Sequence, residues 1–167
     1  MTTYHIALGS NLGDRLQNLR DAAEALQRLH DPEAPFLISR VYETDPVDCA
    51  PGDPVFLNAV AALQSTLAPL ELLDALQAIE QRMGRPSQHE RNIPRTMDLD
   101  LLAAGDLIFE HPRLTLPHPR IAERRFVLAP LCDISPHLKL PGWKTDAAAL
   151  LAELPARPAA TIFATTL

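Results

Sequence analysis

Aromatic side chains make up only 5% of the 167 residues, and cysteine is rarer still. Cys49 and Cys132 lie far apart, outside any Cys-x-x-Cys or Cys/His spacing, which argues against a disulfide framework and against a zinc site. No apolar run approaches the length of a membrane span, and the opening Met1-Thr2-Thr3-Tyr4 lacks the basic start of a signal peptide. The expected location is therefore the cytoplasm, with no membrane partner. An excess of positive charge is also missing: the net charge of −6 disfavours nucleic acid as a partner. Gly-x-x-x-x-Gly-Lys-Ser/Thr and Gly-x-Gly-x-x-Gly do not occur, which excludes a P-loop and a dinucleotide-binding Rossmann unit.

What remains is an ordinary globular composition, 47% hydrophobic and 22% charged, in a length suited to one domain over residues 1–167. The 16 prolines are about twice the usual share and predict long, shaped loops. Charge is unevenly spread: residues 1–80 carry a net −8, whereas 81–125 carry +2, with arginines concentrated there.

Residues 4–8 read as a strand ended by the turn formers Gly9-Ser10-Asn11-Leu12-Gly13-Asp14. Asp14 is placed to cap a helix whose core stripe is Leu16, Leu19, Ala22, Ala23, Leu26 and Leu29, stopped by Asp31-Pro32. Residues 36–43 and 55–63 read as strands separated by a proline-rich loop, and 68–83 as a second amphipathic helix ended by Gly84. A polar, arginine-rich loop leads to 98–104, where acid and leucine alternate as in a half-buried strand. A short edge strand is predicted at 107–109, helices at 121–129 and 147–154, and a C-terminal tail from about 155. The order strand, helix, strand, strand, helix, strand matches a ferredoxin-like βαββαβ sheet of the α+β class, with helices on one face and the second face open to ligand.

Chemistry concentrates at Asp98-Leu99-Asp100. Two carboxylates two residues apart on a strand project to one side, and Mg²⁺ accepts such a pair when phosphate oxygens and water complete its shell. The same pattern serves glycosyltransferases and nucleotidyltransferases. Arg82, Arg85, Arg91 and Arg95 lead into that strand, and guanidinium groups fork onto phosphate oxygens. Pro117-His118-Pro119-Arg120, with Arg124 and Arg125, forms a second basic group. Gln77 and Glu80 share a helix face suited to ribose or adenine, although an exposed helix face shows the same spacing. Thr44 to Val47 and Phe56 to Asn58 bring an amide, loop carbonyls and an aromatic ring together in a setting suited to a flat heterocycle; a buried Asn58 is satisfied equally by a backbone group. The loop at 9–13 fits no phosphate-cradle spacing and is read as a holder of other loops.

Taken together, Gly9-Ser10-Asn11-Leu12-Gly13, Tyr42-Glu43-Thr44, Phe56-Leu57-Asn58-Ala59, Ile79-Glu80, Gly84-Arg85, the run from Arg91 through Pro94-Arg95-Thr96-Met97-Asp98-Leu99-Asp100 to Leu102, and Leu116-Pro117-His118-Pro119 resemble the 6-hydroxymethyl-7,8-dihydropterin pyrophosphokinase family over residues 4–140. The resemblance implies a monomer that transfers diphosphate from ATP, bound with two Mg²⁺, to a reduced pterin, giving AMP and the pterin diphosphate in folate synthesis. It implies that Asp98 and Asp100 hold both metals, with Arg85 and Arg95 beside them in catalysis. Arg85, Arg91, Arg95, His118 and Arg124 would contact the triphosphate, and Gln77 with Glu80 the nucleoside. Asn58, the Thr44 backbone, Val47 and Asp98 would meet the pterin, with Phe56 and Phe126 on its two faces. Ser87, Asn92, Ile93 and Pro119 depart from the common pattern, which bears on loop closure while the metal and pterin residues stay intact. A transferase sharing only the Asp-x-Asp pattern would release a different nucleotide product, and a binding module would consume none.

Overall fold

The computed structural model describes residues 1–44, 52, 54–84 and 96–167. β1 (Thr2–Ser10) is followed by α1 (Arg15–Gln27), whose first turn is capped by the Asp14 carboxylate accepting the Gln17 amide at 3.1 Å. β2 (Leu37–Ile38), β3 (Val41–Thr44), β4 (Phe56–Ser65), α2 (Pro69–Arg82) and β5 (Asp98–Ala104) complete the βαββαβ unit. The strand expected over 36–43 is broken at Ser39 and Arg40. Ser39 Oγ takes the Val60 amide at 2.9 Å in place of a ladder partner, and the Arg40 amide turns to Asp133 Oδ2 at 3.1 Å.

The main sheet runs β5-β1-β4-β3, the order of a ferredoxin-like fold, with these neighbours antiparallel. It continues beyond β3 into β8 (Ala160–Ala164), so the segment expected to be a tail is an outer strand, with Thr44 opposite Ala160 and Tyr42 opposite Ile162. The short strand expected at 107–109 starts instead at β6 (Phe109–His111) and pairs with β7 (Leu114–Leu116) as a separate hairpin. The helix expected at 121–129 is a 3-10 turn, Ile121–Glu123, then α3 (Arg125–Ile134), divided at Arg124, whose backbone is extended. α4 (Ala147–Glu153) follows. None of the helices among the described residues is long and apolar enough to cross a membrane.

Period-two alternation sorts the strands between two cores. Tyr4, Ile6, Leu8, Leu57, Ala61, Leu63, Leu99 and Leu101 pack with Leu19, Leu26, Leu72, Leu76 and Ile79 of α1 and α2. Val60, Leu102 and Ala103, from the strands, pack with Val127, Leu128 and Leu131 of α3 and Ala147 of α4. The second face, expected to be open, is therefore partly roofed. Asp133 fastens that roof: its carboxylate takes Arg40 Nη2 at 2.7 Å, Arg40 Nε at 3.0 Å and Tyr42 Oη at 2.9 Å. Burial alone would raise the Asp133 carboxyl, but the hydrogen bonds from Arg40 and Tyr42 outweigh it and hold it below the usual range.

Under the same roof His5 is buried, with Nε2 3.0 Å from Ser135 Oγ and Nδ1 without a hydrogen-bond partner among the described residues. Desolvation pushes its pKa down to about 4. The unfolded chain then binds the extra proton between pH 6.5 and 4, so stability is full above the ordinary histidine value and falls on acidification through that window, by about 3 kcal/mol in all. Denaturant unfolding at pH 7, 5.5 and 4 is expected to show this loss in the parent chain and a smaller one in His5→Gln. Parallel pH profiles would count against it.

Candidate active site

Among the described residues, the α3 and α4 core does not extend to the Gly9 end of the second face. β1 runs between two partners, and its register sets Gly9 opposite Asp98 on β5 and opposite Asn58 on β4. Asp98, Gly9 and Asn58 thus form one row across three strands, with about 10 Å between the outer two backbones. Ala7 stands opposite Asp100 and Val60 in the next row of that face, where the α3 core begins.

Gly9 is the floor. A Cβ built there would stand 3.1 Å from Asn58 Oδ1 and 3.7 Å from Phe56 Cδ1, so the absence of a side chain lets the amide and the ring lie over the peptide. Asn58 cannot easily give way, because its Nδ2 donates to Thr44 Oγ1 at 2.6 Å. That bond fixes Oδ1 as the end of the amide left to accept from a ligand. Thr44 is buried and sits between Phe56 and Ala160 in the sheet, so its hydroxyl serves Asn58.

Asp98 and Asp100 are half-buried and share the face that carries Asn58. His118 and Arg124 join them from the segment before α3. Burial first, then the nearby Arg124 and Arg120, lower the His118 pKa, while Asp98 pulls the other way. His118 Nδ1 accepts the Arg120 amide at 3.2 Å, which leaves Nε2 as the N–H donor of the neutral ring. For Arg124, burial and Arg120 lower the pKa, and Asp100, Glu123 and Asp98 oppose them. The guanidinium remains a cation at neutral pH. Its Cζ lies 5.5 Å from the centre of the Phe126 ring in the first turn of α3.

Among the described residues no group of three or more His, Cys, Asp or Glu side chains converges. Two hard carboxylates on one strand face fit Mg²⁺, which keeps water and takes substrate phosphate oxygens in preference to a full protein cage. Of the other expected residues, Arg85, Arg91, Arg95 and Val47 lie outside the described residues, as do Ser87, Asn92 and Ile93. Gln77 is half-buried on α2, with Arg113 Nη2 3.4 Å from its Oε1. Arg113 also pairs with Asp74. Sequence reading did not single out Arg113, which lies between β6 and β7. Glu80 is buried, and its Oε1 accepts the Leu99 amide at 2.7 Å.

The turn after β1 acts as the holder it was expected to be. Ser10 Oγ donates to the Thr96 carbonyl at 2.6 Å, Asn11 Nδ2 to Pro54 O at 3.3 Å, and Arg15 Nη1 to Val55 O at 2.6 Å. Thr96 precedes β5 and Pro54-Val55 precede β4, so the approaches to both strands are held near the end of β1.

Acids and cations on one side of a glycine floor, an amide and an aromatic ring on the other, and a ferredoxin-like sheet beneath describe an enzyme that moves a charged group between two small molecules. Residues 5–136 match the 7,8-dihydro-6-hydroxymethylpterin-pyrophosphokinase (HPPK) family, and the chain belongs to it. It is 47% identical over 139 residues to the 2-amino-4-hydroxy-6-hydroxymethyldihydropteridine pyrophosphokinase of Pseudomonas aeruginosa, covering 82% of this chain and 83% of the relative. It is 45% identical over 130 residues to the enzyme of the same name from Bacillus subtilis, covering 78% and 76%. Among solved structures, an HPPK-DHPS in complex with substrates superposes with a TM-score of 0.69 at 13% identity, over 91% of this chain and 45% of the other. Wild-type Plasmodium falciparum HPPK-DHPS with pteroate gives 0.69 at 15% identity, over 90% and 42%. These superpositions speak to the fold, and this chain spans less than half of those longer chains.

Gly9→Ala is expected to displace Asn58 from Thr44 and to raise the KM for the small molecule bound at Asn58 several-fold, about 1 kcal/mol or more, because a buried hydrogen bond is strained. Steady-state kinetics with each substrate varied in turn would show it, and equal KM values for parent and variant would count against Gly9 as the floor.

Proposed function

We propose that this chain transfers diphosphate from ATP to 6-hydroxymethyl-7,8-dihydropterin, with AMP and the pterin diphosphate as products, in folate synthesis. The observation that supports the reading is the row Asp98, Gly9, Asn58: the acid we assign to the phosphates and the amide we assign to the heterocycle stand on one sheet face, on strands whose backbones are about 10 Å apart. Family membership supplies the reaction.

On the phosphate side, Asp98 and Asp100 are assigned as the carboxylates that hold two Mg²⁺ ions. When bound, Mg²⁺ shields the polyphosphate charge and orients its oxygens. Arg124 and His118, and with them Arg85, Arg91 and Arg95 from the loop that ends at Thr96, are assigned to the triphosphate. Gln77, with Arg113 beside it, is assigned to the nucleoside. On the pterin side, Asn58 Oδ1 is free to accept a ring N–H while its Nδ2 is committed to Thr44, and Val47 is assigned to the same edge of the ring. Phe56 and Phe126 are assigned to the two faces of the heterocycle.

The hydroxymethyl oxygen attacks the β-phosphorus in line. A new oxygen–phosphorus bond forms as the bond from that phosphorus to the oxygen bridging to the α-phosphate breaks, and AMP departs with the bridging oxygen. The hydroxyl proton is assigned to Asp98, the acid that stands across Gly9 from the pterin side. Positioning and charge neutralisation by fixed cations provide most of the acceleration.

We place the chain in the cytoplasm, as a monomer acting on small molecules. Burial, followed by Asp133 and Asp146, pushes the free Cys132 thiol up to about 11, so it stays protonated at neutral pH.

Incubation with ATP, Mg²⁺ and the reduced pterin is expected to yield AMP that depends on the pterin, read by chromatography of the nucleotides. Asp98→Ala and Asp100→Ala are each expected to lower turnover on the order of a hundredfold or more. ADP or free pyrophosphate as the product would overturn the reaction, and near-parent turnover in either variant would remove its carboxylate from the metal site.

A further inference from the structure

Glu80 occupies an unusual place for an acid. It sits on α2 with 3% of its surface exposed, against the side of β5 that carries Leu99 and Leu101 into the core. Asp98 and Asp100 project from the opposite side of that strand. Burying a carboxylate is costly unless its hydrogen bonds are made, and Glu80 Oε1 takes the Leu99 amide at 2.7 Å. Leu99 is the residue between the two aspartates.

A strand sets the directions of side chains i and i+2 through the peptide units between them. Among the described residues β5 is an outer strand of the sheet, joined to β1 on one side only. The Glu80 carboxylate supplies, from the helix, a bond at the middle of Asp-x-Asp that a neighbouring strand does not supply. A second hold lies two residues ahead of Asp98, where Ser10 Oγ donates to the Thr96 carbonyl at 2.6 Å, and Met97 between them is wholly buried. The backbone is therefore fixed before Asp98 and between the two acids. Two like charges on one face repel one another, and the fixed backbone keeps them from splaying apart.

We infer that Glu80 is a positioning residue for the carboxylate pair: by accepting the Leu99 amide it sets the common direction of Asp98 and Asp100, and through them the affinity for the divalent cation. This rests on Asp98 and Asp100 being the metal carboxylates. It differs from the nucleoside contact that the family resemblance implied for Glu80.

The test uses the full chain with Glu80→Gln, which keeps an acceptor oxygen, Glu80→Asp, which keeps the charge but withdraws the acceptor, and Glu80→Leu, which has none. Mn²⁺ binding in the presence of α,β-methylene-ATP is followed by loss of the free-ion electron paramagnetic resonance signal, alongside thermal melting. Glu80→Asp and Glu80→Leu are expected to weaken Mn²⁺ about tenfold, while Glu80→Gln stays near the parent. A lower melting temperature with unchanged Mn²⁺ affinity would overturn the inference, as would weaker binding of the analogue in the absence of metal. If Glu80→Leu does not fold, Glu80→Asp carries the same decision. Asp98→Asn and Asp100→Asn run in parallel: unchanged Mn²⁺ binding in both would sink the metal assignment itself, whereas loss in these and not in the Glu80 variants would sink the inference alone.

Discussion

The register of β1 against its two neighbours is the constraint on which the rest of the site depends. Gly9 faces Asp98 on one side and Asn58 on the other, and these pairings come from different strands that meet only across β1. A slip of one residue on either side would turn the facing side chains into the wrong core. The register is protected by the apolar set that such a slip would expose. Tyr4, Ile6 and Leu8 of β1 are at most 1% exposed beneath α1 and α2. Burial on the far side of the sheet thus holds polar groups in line on the near side.

How much could be read in advance follows from how far each signal reached along the chain. β5 was legible to its ends, because acid and leucine alternate there and a strand has no other use for that pattern. The cap at Asp14 and the proline at the start of α2 were equally local. β8 was not legible. Ala160-Thr161-Ile162-Phe163-Ala164 lacks polar and apolar alternation and follows Pro155 and Pro158, and only its pairing with β3 gives it a strand's geometry. The roof formed by α3 and α4 escaped for a related reason: a helical stripe announces a buried face without naming the surface that covers it.

The candidate site divides in the same way. Asp98 and Asp100 were chosen because their spacing puts two carboxylates on one side of a strand, and Asn58 because a polar residue in an apolar strand needs a partner; the structure sets all three on one face. Arg113 was not singled out, since its neighbours Asp74 and Gln77 lie on a helix far away in sequence. Glu80 was seen, but its environment could not be. From spacing alone an acid on α2 reads as solvent-facing, and only the packing of α2 on β5 turns it toward the Leu99 amide.

The side chain missing at Gly9 also sets the shape of any inhibitor that would occupy both halves of the site at once. In the proposed arrangement a heterocycle at Asn58 and a phosphate chain at the Asp98 end rest over strands whose backbones are about two spacings, roughly 10 Å, apart, so a tether that joins them has to cross the β1 strand between. The middle of such a tether crosses bare peptide, with no side chain at Gly9 to grip it. Stiffness and length matter there more than decoration, and the gain in effective concentration goes to the compound whose linker is already straight.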